Sequence, residues 1–393
     1  MKTDSDFGAV PMPQPAAVAT SHRHMTIGLP ASNALNERRF PLTPEAAGML
    51  VEKGYTVKIE EGAGAPIHYT DNAYSREGTQ VVSRSEALGC DMVIHLAPLS
   101  CGDIRQMRRG AVLLSLLSKC NRTKESVKAL LDRNIINVAL DLVEDRYGNT
   151  PFADILSEID GRAALAVAGS LLADSVHGKG ILLGGVAGVI PCETTIIGSG
   201  ISARAAAIAA SGAGSTVRLF DNDIYRLREA TRELGTCAVG SALHPRVLRS
   251  ALRSADVVVF TQMSNPPVFD AEAVSEMKKG VIIFDLTNDC GSGFPSLPTV
   301  DLAMASPTGP EGMRCCYVHA GSAVPRTAAM ALSNTLLTFM GDISVCDGVM
   351  NALKMLPGIR KGAVTFMGKA VNAAVAEIAG VRSRDINIFL TLS

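Results

Sequence analysis

Short apolar runs rich in β-branched residues alternate with amphipathic segments along most of the chain. From Met25 the order is MTIGLP, PEAAGMLVEKG and YTVKIEEGAG, then DMVIHLAP, AVLLSLLS, a helical segment around Lys124 to Asn134, and INVALDLV. Continuous apolar strands separated by helices predict parallel strands buried on both faces. Next, PFADILSEIDGRAALAVAGSLLADSVHGKG repeats its apolar residues at helical spacing over a length that bridges two domains. After the glycine-rich ILLGGVAGVIP a second series follows: ETTIIGSG, STVRLFDND, CAVGSA, ADVVVFTQ, GVIIFDLT and RCCYVHAG. Helices between these runs predict a second doubly wound sheet.

The pattern predicts an α/β protein of two Rossmann-like, doubly wound parallel-sheet domains with an interdomain cleft. Residues 1–24 are polar and proline-interrupted, without the apolar core of a signal peptide, and predict a disordered arm. Residues 25–151 plus 326–393 are expected to form one domain and residues 152–325 the other, the short C-terminal segment packing back onto the first.

Composition narrows the partners. With 37 basic and 38 acidic side chains the formal charge is -1, so no overall field draws nucleic acid or an anionic membrane. No apolar run approaches the ~18 residues of a membrane span. Nine scattered cysteines without C-x-x-C spacing argue against a zinc site or a disulfide framework, and fit a reducing, cytoplasmic setting.

The chemistry begins at Gly198-Ser199-Gly200-Ile201-Ser202-Ala203. Gly198 permits a tight strand-to-helix turn, Gly200 lets backbone approach a pyrophosphate, and Ala203 stands for the third glycine. The following helix aims free N–H groups and its positive end at the phosphates. A second strand ends in Asp221, where a carboxylate accepts from a ribose diol and repels a 2′-phosphate, which favours NAD over NADP.

These residues, with four ordered segments, resemble alanine dehydrogenase and the related alpha subunit of the proton-translocating transhydrogenase. The segments are NERRFPLTPEAAGMLVEKGYTVKIEEGAG, FADILSEIDGRAA, ILLGGVAGV and VHAGSAVPRTAAMALSN. The resemblance implies hydride transfer between a nicotinamide and a small amino or keto acid, in a homo-oligomer, dimer or hexamer. It places Arg39 on the substrate carboxylate, Asp289 and Ser157 near the nicotinamide, and Asp141 where the family has a glutamate. Two departures stand out: Ala97 falls on the family's catalytic lysine and Ser118 on its catalytic histidine. Candidate replacements are His95, expected to share a face with Ala97 on an extended strand, with Lys119 and His319. The expected substrate is a specialised amino, imino or keto acid. Two other readings stay open: bound NAD as an internal redox shuttle, and an NAD-binding protein without chemistry.

Overall fold

The computed structural model describes residues 25–34, 37–287, 293–303 and 315–391. The arm expected at residues 1–24 and the proposed site residue Asp289 lie outside them.

The strands are β1 (Thr26–Leu29), β2 (Thr56–Glu60), β3 (Gln80–Val82), β4 (Met92–Ile94), β5 (Val112–Ser115) and β6 (Ile136–Ala139), then β7 (Glu193–Ile197), β8 (Thr216–Asp221), β9 (Val239–Ala242), β10 (Val257–Phe260), β11 (Ile282–Asp285), β12 (Thr299–Asp301) and β13 (Cys316–Val318), with β14 (Ala363–Phe366) and β15 (Lys369–Ala370) near the end. They form two sheets, ordered β15-β14-β6-β5-β4-β1-β2-β3 and β12-β13-β11-β10-β7-β8-β9. Pairing is parallel except at β14, which runs antiparallel to both β6 and β15. The C-terminal segment thus completes the first sheet with antiparallel strands, possible because β14 and β15 are joined by a tight turn rather than a crossover helix. β3 and β12 were not evident in the sequence: each has three residues, with partly exposed side chains that break the apolar run.

Two long helices stand out, and one of them ties the sheets together. In Pro151–Ala173, Phe152 and Leu156 enter the core of the first sheet, whereas Ala163, Ala164, Leu165, Ala168 and Leu172 enter that of the second. Burying each large side chain contributes about 1.5–3 kcal/mol, so one helix is anchored at both ends. Between those halves Gly161 faces the cofactor turn: a Cβ there would lie 2.2 Å from the Ser202 carbonyl oxygen. The second helix, Pro325–Val345, is long and apolar enough by composition to cross a membrane. Here Ala329, Leu332, Leu336, Phe339, Met340 and Ile343 are buried in the first core, with Phe339 edge-on to Phe152 at 5.6 Å, so it is a core helix. Seven described cysteines are free thiols; Cys120 is disulfide-bonded, a bond that the expected reducing setting does not anticipate.

Candidate active site

The carboxyl ends of both sets of strands face one another, and the loops leaving them line a cleft of about 200 Å³. From the first sheet come Arg39 after β1, Ala97 after β4, Ser118 and Asn121 after β5, and Asp141 after β6. From the second come Ser202 after β7, Gln262 after β10, Thr287 after β11 and His319 after β13, while the bridging helix adds Ser157 and Asp160. Ligands bind at the carboxyl ends of the strands in open α/β sheets, and here two such edges share one space.

The cofactor turn has the expected form. Gly198 has φ +103°, and a Cβ on it would lie 2.1 Å from Thr261 Oγ1. Gly200 caps the helix Ile201–Gly212 with no side chain on its first N–H groups, and the space above its Cα is open to 4.0 Å. That leaves bare amides and the positive helix end for a diphosphate, a fit to NAD's pyrophosphate. Ala203 is fully buried, as close helix-to-sheet packing requires. Asp221 is 2% exposed; Ser199 Oγ donates to its Oδ2 at 2.6 Å and the Asp223 N–H to its Oδ1 at 2.8 Å. The carboxylate is fixed in position and retains lone pairs for a ribose diol.

On the opposite wall Arg39 is gripped from one side. Its Nε donates to Glu37 Oε1 at 2.8 Å and its Nη2 to Glu37 Oε2 at 2.6 Å. Burial opposes the charge, but Glu37, with Asp160 and Asp141 nearby, holds the guanidinium above its usual range, so it stays a cation. Glu37 thereby orients the fork, whose other edge is left for a planar carboxylate. Asp141 accepts the Leu117 N–H at 2.8 Å and pins the loop after β5. Behind that loop a buried guanidinium, Arg122, bonds the Leu116 and Leu117 carbonyls, burial lowering its pKa to about 10.

His319 sits at φ +56° on the cofactor side. Its Nδ1 lies 3.0 Å from Asp301 Oδ2, an ion-pair approach whose angle falls short of an aligned hydrogen bond. The turn after it is held by Asp160, whose Oδ1 accepts the Gly321 N–H at 2.8 Å. A Cβ at Gly321 would meet that same oxygen at 2.3 Å, so the close approach requires glycine.

Two expected site residues are elsewhere. His95 does not line the cleft: β4 ends at Ile94 and the chain bends at Leu96 and Ala97, so the alternation that would put positions 95 and 97 on one face no longer applies. Its ring turns back to bond the Ala97 carbonyl through Nδ1 at 2.6 Å. Lys119 opens a short 3₁₀ turn and is exposed outside the cleft, because Ser118 adopts φ +40° and turns the chain away. Conversely, Glu37, Asp160, Gln262 and Thr287 line the cleft without having been singled out. Glu37 and Asp160 lie inside the quoted NERRF and SEIDG segments, and for Glu37 a carboxylate two residues before Arg39 was a readable signal.

Comparison with known proteins finds relatives that span both sheets. The alanine dehydrogenase/PNT N-terminal domain family matches residues 28–159 and the C-terminal domain family residues 164–373. The alanine dehydrogenase of Mycobacterium tuberculosis strain H37Rv is 27% identical over 368 residues, covering 91% of this chain and 97% of the relative. That of Staphylococcus saprophyticus is 29% identical over 370 residues, covering 92% and 99%. Among solved structures, an L-alanine dehydrogenase superposes with TM-score 0.80 at 26% identity, covering 90% of this chain and 99% of its own. A transhydrogenase from Sinorhizobium meliloti, at TM-score 0.72 and 19% identity over 88% and 100% of the two chains, shares the fold.

Proposed function

Since the chain belongs to the alanine dehydrogenase/PNT family over both of its domains, and is an oxidoreductase of that family whose cofactor is NAD, we propose that it acts on a specialised amino, imino or keto acid. The observation that supports this is the single cavity in which Arg39 and Asp141 from one domain meet His319 and the cofactor turn from the other. Bound NAD supplies a hydride acceptor or donor at its nicotinamide. Arg39, aimed by Glu37, binds the carboxylate. His319, backed by Asp301 and held by the turn that Asp160 fixes, takes the proton from the substrate amine or returns it. Ala97 and Ser118 are smaller than the groups they replace, which leaves room for a substrate bulkier than alanine.

The test is steady-state NADH absorbance with a panel of amino and keto acids. Turnover is expected with at least one carboxylate substrate; none with any would overturn the reading. In that assay Arg39→Lys, which keeps the charge and loses the fork, raises KM about 10- to 100-fold, worth about 1.5–3 kcal/mol. The melting temperature should hold, because Glu37 keeps a cationic partner.

We also propose a cytoplasmic homo-oligomer. On the segment entering β7, Leu182, Val186, Val189 and Ile190 are 66, 55, 62 and 87% exposed, with Val186 and Val189 bridged back to back. An apolar surface of this kind marks a contact between chains. Light scattering should give the mass of a dimer or hexamer, and Val186→Asp with Ile190→Asp should reduce it to one chain. A monomeric wild-type protein would contradict the assignment.

A further inference from the structure

The first sheet has a crevice of its own. β1 lies between β2 and β4, and the helices that follow β1 and β4 pack on opposite faces: Ala46, Ala47 and Leu50 against Ile94 and Leu114, but Ile104 against Val93 and Leu113. The carboxyl ends of β1 and β4 are therefore a topological switch point, where the departing loops leave a gap. A cavity of about 350 Å³ occupies it, lined by Asn33 after β1, His95 and Ser100 after β4, and Asn121 and Thr123 after β5.

His95 is the unusual wall. It is 4% exposed, and among the described residues its Nε2 has no hydrogen-bond partner. The Ala97 carbonyl can only accept, so Nδ1 carries the proton and Nε2 presents a bare lone pair. Burial keeps the ring neutral, lowering its pKa against the pull of the Ala97 carbonyl and of the nearby Ala31 carbonyl, which lies outside hydrogen-bond geometry to Nε2. A buried acceptor left unmatched is destabilising, and native structures retain few without a ligand or water to complete them. Charge is otherwise used up around the crevice. Arg84 gives Nε and Nη2 to Asp103 and Nη1 to Glu60 and the Ala31 carbonyl, while Ser100 Oγ completes Asp103. Among the described residues no free cation is left to hold an anion, and both Asp103 oxygens are occupied. The crevice adjoins the catalytic cleft: Asn121 lines both, and consecutive residues Ala97 and Pro98 line one each.

We infer that this switch-point crevice is a side arm of the substrate pocket, which takes an uncharged side chain ending in an N–H or O–H group that donates to His95 Nε2. The inference rests on the oxidoreductase reading for its kinetic arm only. With NAD and the full-length protein, L-glutamine, which carries an amide N–H, should exceed L-norvaline, which lacks it, by about 10- to 100-fold in kcat/KM. His95→Phe should bring that ratio close to one and leave L-norvaline turnover within a few-fold of wild type. Equal turnover of the two substrates by the wild type, or a preference that survives His95→Phe, overturns the proposal. A second measurement needs no turnover and no variant. In wild-type protein with ¹⁵N-labelled histidine and NADH present, L-glutamine should shift the unprotonated Nε2 resonance of His95 and L-norvaline should not. Turnover of alanine with an unmoved His95 resonance removes the side arm and keeps the oxidoreductase. A moved resonance without any turnover removes the oxidoreductase and keeps the arm.

Discussion

Gly198→Val weakens NAD binding by at least about 100-fold while the chain remains folded. Gly198 holds φ +103°, a region that side chains with a branched Cβ do not tolerate, and any Cβ there would lie 2.1 Å from Thr261 Oγ1. Thr261 cannot swing away without loss, because its hydroxyl donates to the Ile197 carbonyl at 2.9 Å at the end of β7. Relief must come from the turn itself, which displaces Gly200 and the amides that follow. Strain of about 1–3 kcal/mol is a small fraction of the stability of a chain this size, whereas a diphosphate site tolerates little movement. Fluorescence titration with NADH should show affinity weakened at least about 100-fold, taking a loss near 3 kcal/mol from two or more charge-assisted bonds. Circular dichroism should retain the α/β signature. Wild-type affinity in the variant would remove the glycine turn from the cofactor site.

His319→Asn lowers kcat by about 10²- to 10⁴-fold, the range for loss of a positioned acid–base group, and leaves NADH affinity within a few-fold of wild type. The separation follows from position. His319 lies on the loop after β13 whereas the glycine turn follows β7, and Asp160 holds the His319 loop through Gly321 rather than through the ring. A companion change, Asp301→Asn, should give a smaller decrease in kcat, because it removes the carboxylate 3.0 Å from Nδ1 but not the imidazole. Unchanged kcat in His319→Asn would assign proton transfer to another group.

Much of this architecture was legible because buried parallel strands leave continuous apolar runs. β1, β4 to β8, β10 and β11 all lie within segments marked by that pattern. β3 and β12 escaped because edge strands of three residues with exposed side chains carry no such signal. The glycine turn between β7 and its helix was readable because its glycines answer to backbone geometry, which is local. The substrate side was not, for the opposite reason. Whether His95 reaches the cleft depends on where β4 stops and the chain bends, and a one-residue difference there sends the ring into another cavity. Lys119 was lost to the left-handed Ser118 in the same way. Asp160 acts through a contact 161 positions away in sequence, which no local pattern encodes.

The central claim is that the cofactor seat and the Arg39 wall enclose one reacting space. The most direct measurement incubates the protein with ammonium, a panel of keto acids and NADH carrying deuterium at nicotinamide C4, and analyses the amino acids by mass spectrometry. Deuterium at C2 of at least one product, absent in Arg39→Ala, is the predicted result. Tight NADH binding with no deuterium in any product would contradict the account.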